Sequence, residues 1–96
     1  MTNLNDRATD AQIMRIENPD TFDTPSKEDL DALIPEQHAK VSVGGERFWV
    51  KVNKIDNDII NGVVDNQLIN TDIHGLILGD EVSFEKRHIY QIHQGD

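Results

Sequence analysis

From Ala39 onward the apolar side chains recur at every second residue, whereas just upstream Leu30, Leu33 and Ile34 recur at helical spacing. This change of period constrains the fold more than any other feature, because a period of two places one row of side chains inside a sheet and the next row outside. Ala39, Val41 and Val43 alternate with Lys40 and Ser42, and Phe48, Val50 and Val52 alternate with Arg47, Trp49, Lys51 and Asn53. Gly44-Gly45 between them supplies the positive φ angles of a two-residue hairpin turn. Asp56-Asn57-Asp58 reads as a second turn, leading to a third strand over Ile59 to Val64. Gly62 inside that strand marks a bulge or a close approach of backbones. A longer connection over 66–78 leads to a fourth strand, Glu81 to Phe84, and Glu85-Lys86-Arg87 turns the chain into a fifth, His88 to Ile92. Short strands at this spacing predict a mainly β domain: a small five-stranded barrel-like sheet or bent antiparallel meander, SH3-like, with one short N-terminal helix.

The helix is expected over about 25–34. Thr24 stands as N-cap and Pro25 as first helical residue, Glu28 and Asp29 suit the positive end of the dipole, and Leu30, Leu33 and Ile34 form one apolar stripe before Pro35. A segment this short does not persist alone in water, so its stripe is expected to dock on the sheet. Ahead of it, residues 1–16 lack periodicity and read as a flexible acidic arm, leaving 17–96 as a single small domain. Asn18-Pro19-Asp20 is a turn signal, and Phe22 needs a place to pack.

Charge is unevenly placed. Residues 1–36 hold nine acidic and three basic side chains, a net −6 of the chain's −9. That field opposes nucleic acid and anionic membrane and favours solubility or a basic protein partner. With no Cys there are no disulfides, thiolate metal sites or thiol nucleophiles. The first residues lack the basic start and apolar core of a signal peptide, and no apolar run is long enough to span a bilayer, so a cytoplasmic location is expected.

The Glu46-Arg47-Phe48-Trp49-Val50-Lys51-Val52 strand, Gly62-Val63-Val64-Asp65-Asn66, the Gly-Leu-x-Leu-Gly-Asp run at 75–80 and the closing Phe84 with Arg87-His88-Ile89 together resemble the bacterial domain-of-unknown-function family 2314. The resemblance covers about 17–92 and includes the Asn-Pro-x-x-Phe segment at 18–22. It departs where Pro35-Glu36-Gln37-His38 stands in place of a Leu-x-x-Gly-Asp entry to the first strand. It implies the architecture and no site, since that family carries no established activity.

Strand parity puts Arg47, Trp49 and Lys51 together on the outer face, an aromatic ring between two cations able to stack a base, a sugar or a partner's side chain. The competing expectation is that the N-terminal helix or Phe22 covers Trp49. Asp72, His74 and His88 form a candidate acid–base or metal cluster if the fold brings them together, although no metal-ligand spacing links them. Ser26, Ser42 and Ser83 occur in no nucleophile motif, and Asp56-Asn57-Asp58 lacks the later ligands of a calcium loop. The leading expectation is a non-catalytic protein-interaction module without cofactor or metal, as a monomer or weak homodimer. A small nucleic-acid-binding barrel using Arg47, Trp49 and Lys51, with Lys54, Lys86 and Arg87 around them, is the alternative. A small enzyme built on Asp72, His74 and His88 is the third.

Overall fold

The turn at Gly44-Gly45, with φ of 59° and 82°, sets the register of the sheet. It joins β2 (His38–Val43) to β3 (Glu46–Asp56) and pairs them without a slip from Val43↔Glu46 to His38↔Lys51. Asn57, at a φ of 57°, turns β3 into β4 (Ile59–Val64), and β4 pairs antiparallel with β5 (Glu81–Glu85). Two further strands lie at the edges. β1 (Thr2–Asn3) runs parallel to β5, and β6 (Gln91–His93) runs antiparallel to β2. The computed structural model describes residues 1–17 and 24–93, so the expected turn at Asn18-Pro19-Asp20 and the packing of Phe22 lie outside the described residues.

Among the described residues the sheet has six strands in the order β1-β5-β4-β3-β2-β6 and is mixed, where five antiparallel strands were expected. It is not closed into a barrel, because β1 and β6 end the sheet without pairing to each other. A bridge, Ala8↔Val43, and the Thr9 amide donating to the Ser42 carbonyl at 2.9 Å carry the N-terminal segment over to the far end of β2.

The arm over 1–16 is docked: Leu4 and Ala11 are fully buried, and the Leu4 amide donates to Ser83 at 2.7 Å. Helix α1 (Ala11–Glu17) follows, started by Asp10, whose carboxylate accepts from the Ile13 amide. Helix α2 (Lys27–Asp31) is shorter than expected and begins at Ser26, not Thr24. Ser26 and Asp29 form a reciprocal capping box that satisfies two backbone donors, an option Thr24 does not offer. Leu30 and Leu33 reach the core while Ile34 stays exposed. The fifth expected strand, His88 to Ile92, divides: Lys86–His88 is one turn of 3-10 helix, and strand pairing begins at Gln91.

Strand parity holds where it matters for the interior. Phe48, Val50, Val52, Ile60, Val64, Val82 and Phe84 fill one face of the sheet, closed by Leu30, Leu33, Leu68 and Leu76. Gly62 marks a close approach. It faces Val52, where Asn53 is an extra residue in the β3 ladder, and a Cβ at 62 would sit 2.4 Å from the Lys51 carbonyl oxygen and 2.5 Å from Val50 Cγ1. Gly45 has nothing within 4 Å of such an atom, only an unfavourable φ. Gly62→Ala is therefore expected to cost about 3 kcal/mol, since the clash is with backbone that cannot yield. Gly45→Ala should cost about 1–2 kcal/mol from left-handed strain alone. Urea midpoints of the two variants would rank them; equal losses would refute the close-approach account.

Candidate functional site

β3 is eleven residues long, and its two sides are covered unequally. β2 pairs with its first half, but on the opposite side β4 reaches only as far as Val50. The first half of β3 is covered there by the connection after β4. The Asp65 amide donates to the Trp49 carbonyl at 2.9 Å, and the Trp49 amide donates to Asn66 Oδ1 at 2.6 Å. Further along, the Glu46 carboxylate accepts from the amides of Ile69 and Asn70, both at 2.8 Å.

Helix α3 (Thr71–His74) then folds over the hairpin turn, and His74 enters the interior beside Phe48, with ring centroids 6.3 Å apart. His74 Nδ1 accepts from the Leu76 amide at 3.0 Å, which leaves Nε2 carrying the proton toward Glu46 at 2.9 Å. Glu46 is thus held by three N–H donors. The His74 contact first, then the Asn70 and Ile69 amides, hold its carboxyl below the ordinary 4.5, outweighing its partial burial. Periodicity could not reveal this arrangement, because Glu46 is the polar end of a strand and its partners lie 23 to 28 residues away.

The expected cluster of Asp72, His74 and His88 does not assemble. Asp72 is exposed, His74 is committed to Glu46 and Leu76, and His88 is buried after β5 with Nδ1 accepting from the Glu85 amide at 3.0 Å. Among the described residues no three His, Asp or Glu side chains group as a metal site would require. Nor does any described helix have the length and apolar content to cross a membrane.

Arg47, Trp49 and Lys51 do share the outer face, opposite Ser42, Lys40 and His38 of β2. Their roles differ. Lys51 Nζ lies 3.0 Å from Glu36, which raises the lysine's proton affinity, and His38 Nε2 meets Asp65 at 2.5 Å. Arg47 lies over the Tyr90 ring at 4.8 Å. Trp49 is half-buried, with Lys40 Nζ 5.1 Å from its ring centre and the His93 ring edge-on at 6.0 Å. Trp49, Tyr90 and His93 line a groove of about 590 Å³ whose other wall is Thr24, Pro25, Asp29 and Ala32 beside α2. Lys40 could have been read from the sequence, since a two-residue turn at 44–45 places it opposite Trp49. Tyr90 could not, because the 3-10 turn shifts its parity.

Two of the other bases named for nucleic-acid binding are held in ion pairs. Lys86 faces Asp31 at 3.5 Å, and Arg87 is held between Asp10 at 2.8 Å and Glu85 at 2.6 Å. Burial pushes the Asp10 carboxyl up, but the Arg87 hydrogen bond and the Ile13 amide bring it net below its ordinary value. The acidic N-terminal third is thus partly an internal counter-charge to the sheet. No family model, curated protein or solved structure matches the chain.

Two outcomes follow from this geometry. Glu46→Gln should speed amide exchange at Ile69, Asn70 and Leu76 while leaving Val50 and Val82 protected; unchanged exchange at 69–76 would refute the anchoring role. Burial, reinforced by Arg87, pushes His88 below its ordinary 6.5, so the neutral ring is the folded form and the unfolded chain binds a proton first as pH falls. The His88 contribution is whole above the unfolded value and is lost as pH drops toward the folded one. Urea midpoints measured between about pH 7.5 and 5.5 should fall with pH, and His88→Phe should flatten that fall.

Proposed function

We propose that the protein is a non-catalytic binding module that takes an extended segment of another protein along β6. The carrying observation is that β6 is an edge strand bordering a groove lined by Trp49 and Tyr90. An edge strand offers backbone donors and acceptors to an added strand, and a neighbouring aromatic groove selects its side chains. Trp49 suits the anchoring role because a large, half-buried ring contributes contact area with little loss of side-chain freedom. Arg47 and Lys40, both stacked on rings of this surface, make acidic or aromatic residues the favoured company in the bound segment. The likeness to family 2314 is compatible with this reading and adds no activity to it. Pairing of β6 between two copies is the version that would give a weak homodimer.

Selection from a displayed peptide library, followed by titration of the best binder, tests the idea. Trp49 is the chain's single Trp, so its emission reports on the groove directly. Binding should shift that emission and perturb the amides of Tyr90 to His93, and Trp49→Ala should weaken it about thirtyfold, the loss of one anchor residue. A selected peptide that binds Trp49→Ala as tightly as the parent would sink the proposal. Because the ring is half-buried, Trp49→Ala should cost less stability than the ~3–5 kcal/mol of a fully buried aromatic.

A further inference from the structure

The connection between β4 and β5 exposes more apolar surface than its length warrants. Ile69 is 87% exposed, Ile73 67%, Ile77 53% and Leu78 49%, all within ten residues. Its inward side chains, Leu68, His74 and Leu76, are buried, so these four occupy the outward side of the same loop. The exposure is not slack. Glu46 holds the backbone at 69 and 70, Thr71 Oγ1 donates to the Leu76 carbonyl at 2.7 Å, and Asp80 accepts from the Ile77 amide at 3.0 Å. An apolar patch held rigid in water is the form in which binding anchors are found, since its ordering cost is met on folding.

The charges around it specify what it fits. Residues 65–81 contain four acidic side chains and no Lys or Arg, while Arg7 reaches the loop from the N-terminal segment and donates its guanidinium to the His74 carbonyl. Asp72 and Glu81 are exposed, and Asp65 and Asp80 stand at the two ends of the loop. An anionic membrane would be repelled by this rim. A second copy meeting the patch through a two-fold axis would set acid against acid. We infer that the 69–78 loop is a docking surface for a basic amphipathic segment of another protein, whose apolar side chains cover Ile69, Ile73, Ile77 and Leu78 while its Lys or Arg side chains meet Asp72 and Glu81. The site is separate from the β6 groove, none of whose lining residues lies between 65 and 81.

The test is a titration of the isotope-labelled full chain with a synthetic amphipathic Leu/Lys helix, beside a Leu/Glu helix and a Ser/Lys peptide of the same length. Amide perturbations from the Leu/Lys helix should concentrate in 69–78 and weaken as salt rises. The double variant Ile69→Ser/Ile73→Ser should lose about tenfold or more in affinity, and Asp72→Asn/Glu81→Gln several-fold, with the amides of β2 and β3 unmoved in both. Both controls should bind far more weakly, and Trp49→Ala should leave the interaction intact. Equal binding of the Leu/Glu or Ser/Lys peptide, perturbations scattered over the acidic surface, or an unaffected Ile69→Ser/Ile73→Ser variant would overturn the inference. So would a parent dimer in sedimentation that this variant dissolves, since the occupant would then be a second copy. Loss of binding in Trp49→Ala would assign the peptide to the β6 groove, refuting this surface while leaving the groove reading standing.

Discussion

One carboxylate, Glu46, holds together the two parts of the molecule that differ most in kind. On one side is a regular hairpin whose register the Gly44-Gly45 turn dictates. On the other is a connection of sixteen residues, from Asp65 to Asp80, with only one turn of helix in it. Half of β3 would lack a neighbour if β4 were all that covered that side, and buried backbone donors without partners are costly. Asp65 and Asn66 meet that need at Trp49, and Glu46, accepting from two further amides and from His74 at once, holds the rest of the connection where a strand would have run. The same contacts bring Leu68 and Leu76 over the open end of the core. Core closure and the outward placement of the Ile residues are thus two results of one anchor.

The ion pairs follow a comparable division of labour. Asp10, Asp31 and Glu36 come from the acidic first third, and each meets a base from the sheet or the turn after it: Arg87, Lys86 and Lys51 respectively. Exposed pairs of this kind add little stability singly, and they flank the buried contacts of Leu4, Ala11, Leu30 and Leu33 that dock the N-terminal segment and the two short helices. They also change what the net charge means. The acidity of residues 1–36 is partly offset inside the molecule by Arg87, Lys86 and Lys51.

How much of this could be read from the chain depended on the range of the interactions. The inner row Phe48, Val50, Val52 and the outer row Arg47, Trp49, Lys51 were legible because a two-residue turn and a period of two leave no freedom of register. β4 was legible to its ends for the same reason. The order of residues 1–17 was not, since its place comes from partners near residues 82–87. His88 read as strand because its neighbours alternate; a local capture, Nδ1 accepting from the Glu85 amide, bends the chain instead. The groove was half legible, through Trp49 and Lys40. The apolar loop was not, because Leu76, Ile77 and Leu78 look alike in sequence and only the turn closed by Asp80 separates the inward side chain from the outward two.

The parallel pairing of Thr2 with Val82 bears on how the chain reaches this state. The β2–β3–β4 ladders link neighbours across turns of two residues, so they can form while little of the chain is ordered. β1 must instead close a loop of eighty residues onto β5, and the entropy of that closure is met only once β5 is already in place. On a growing polypeptide Thr2 and Asn3 would wait for these partners until Val82 and Ser83 had emerged. The N-terminal segment is then a late clasp on a preformed meander, and delay at this step would leave the β5 edge open to neighbouring chains.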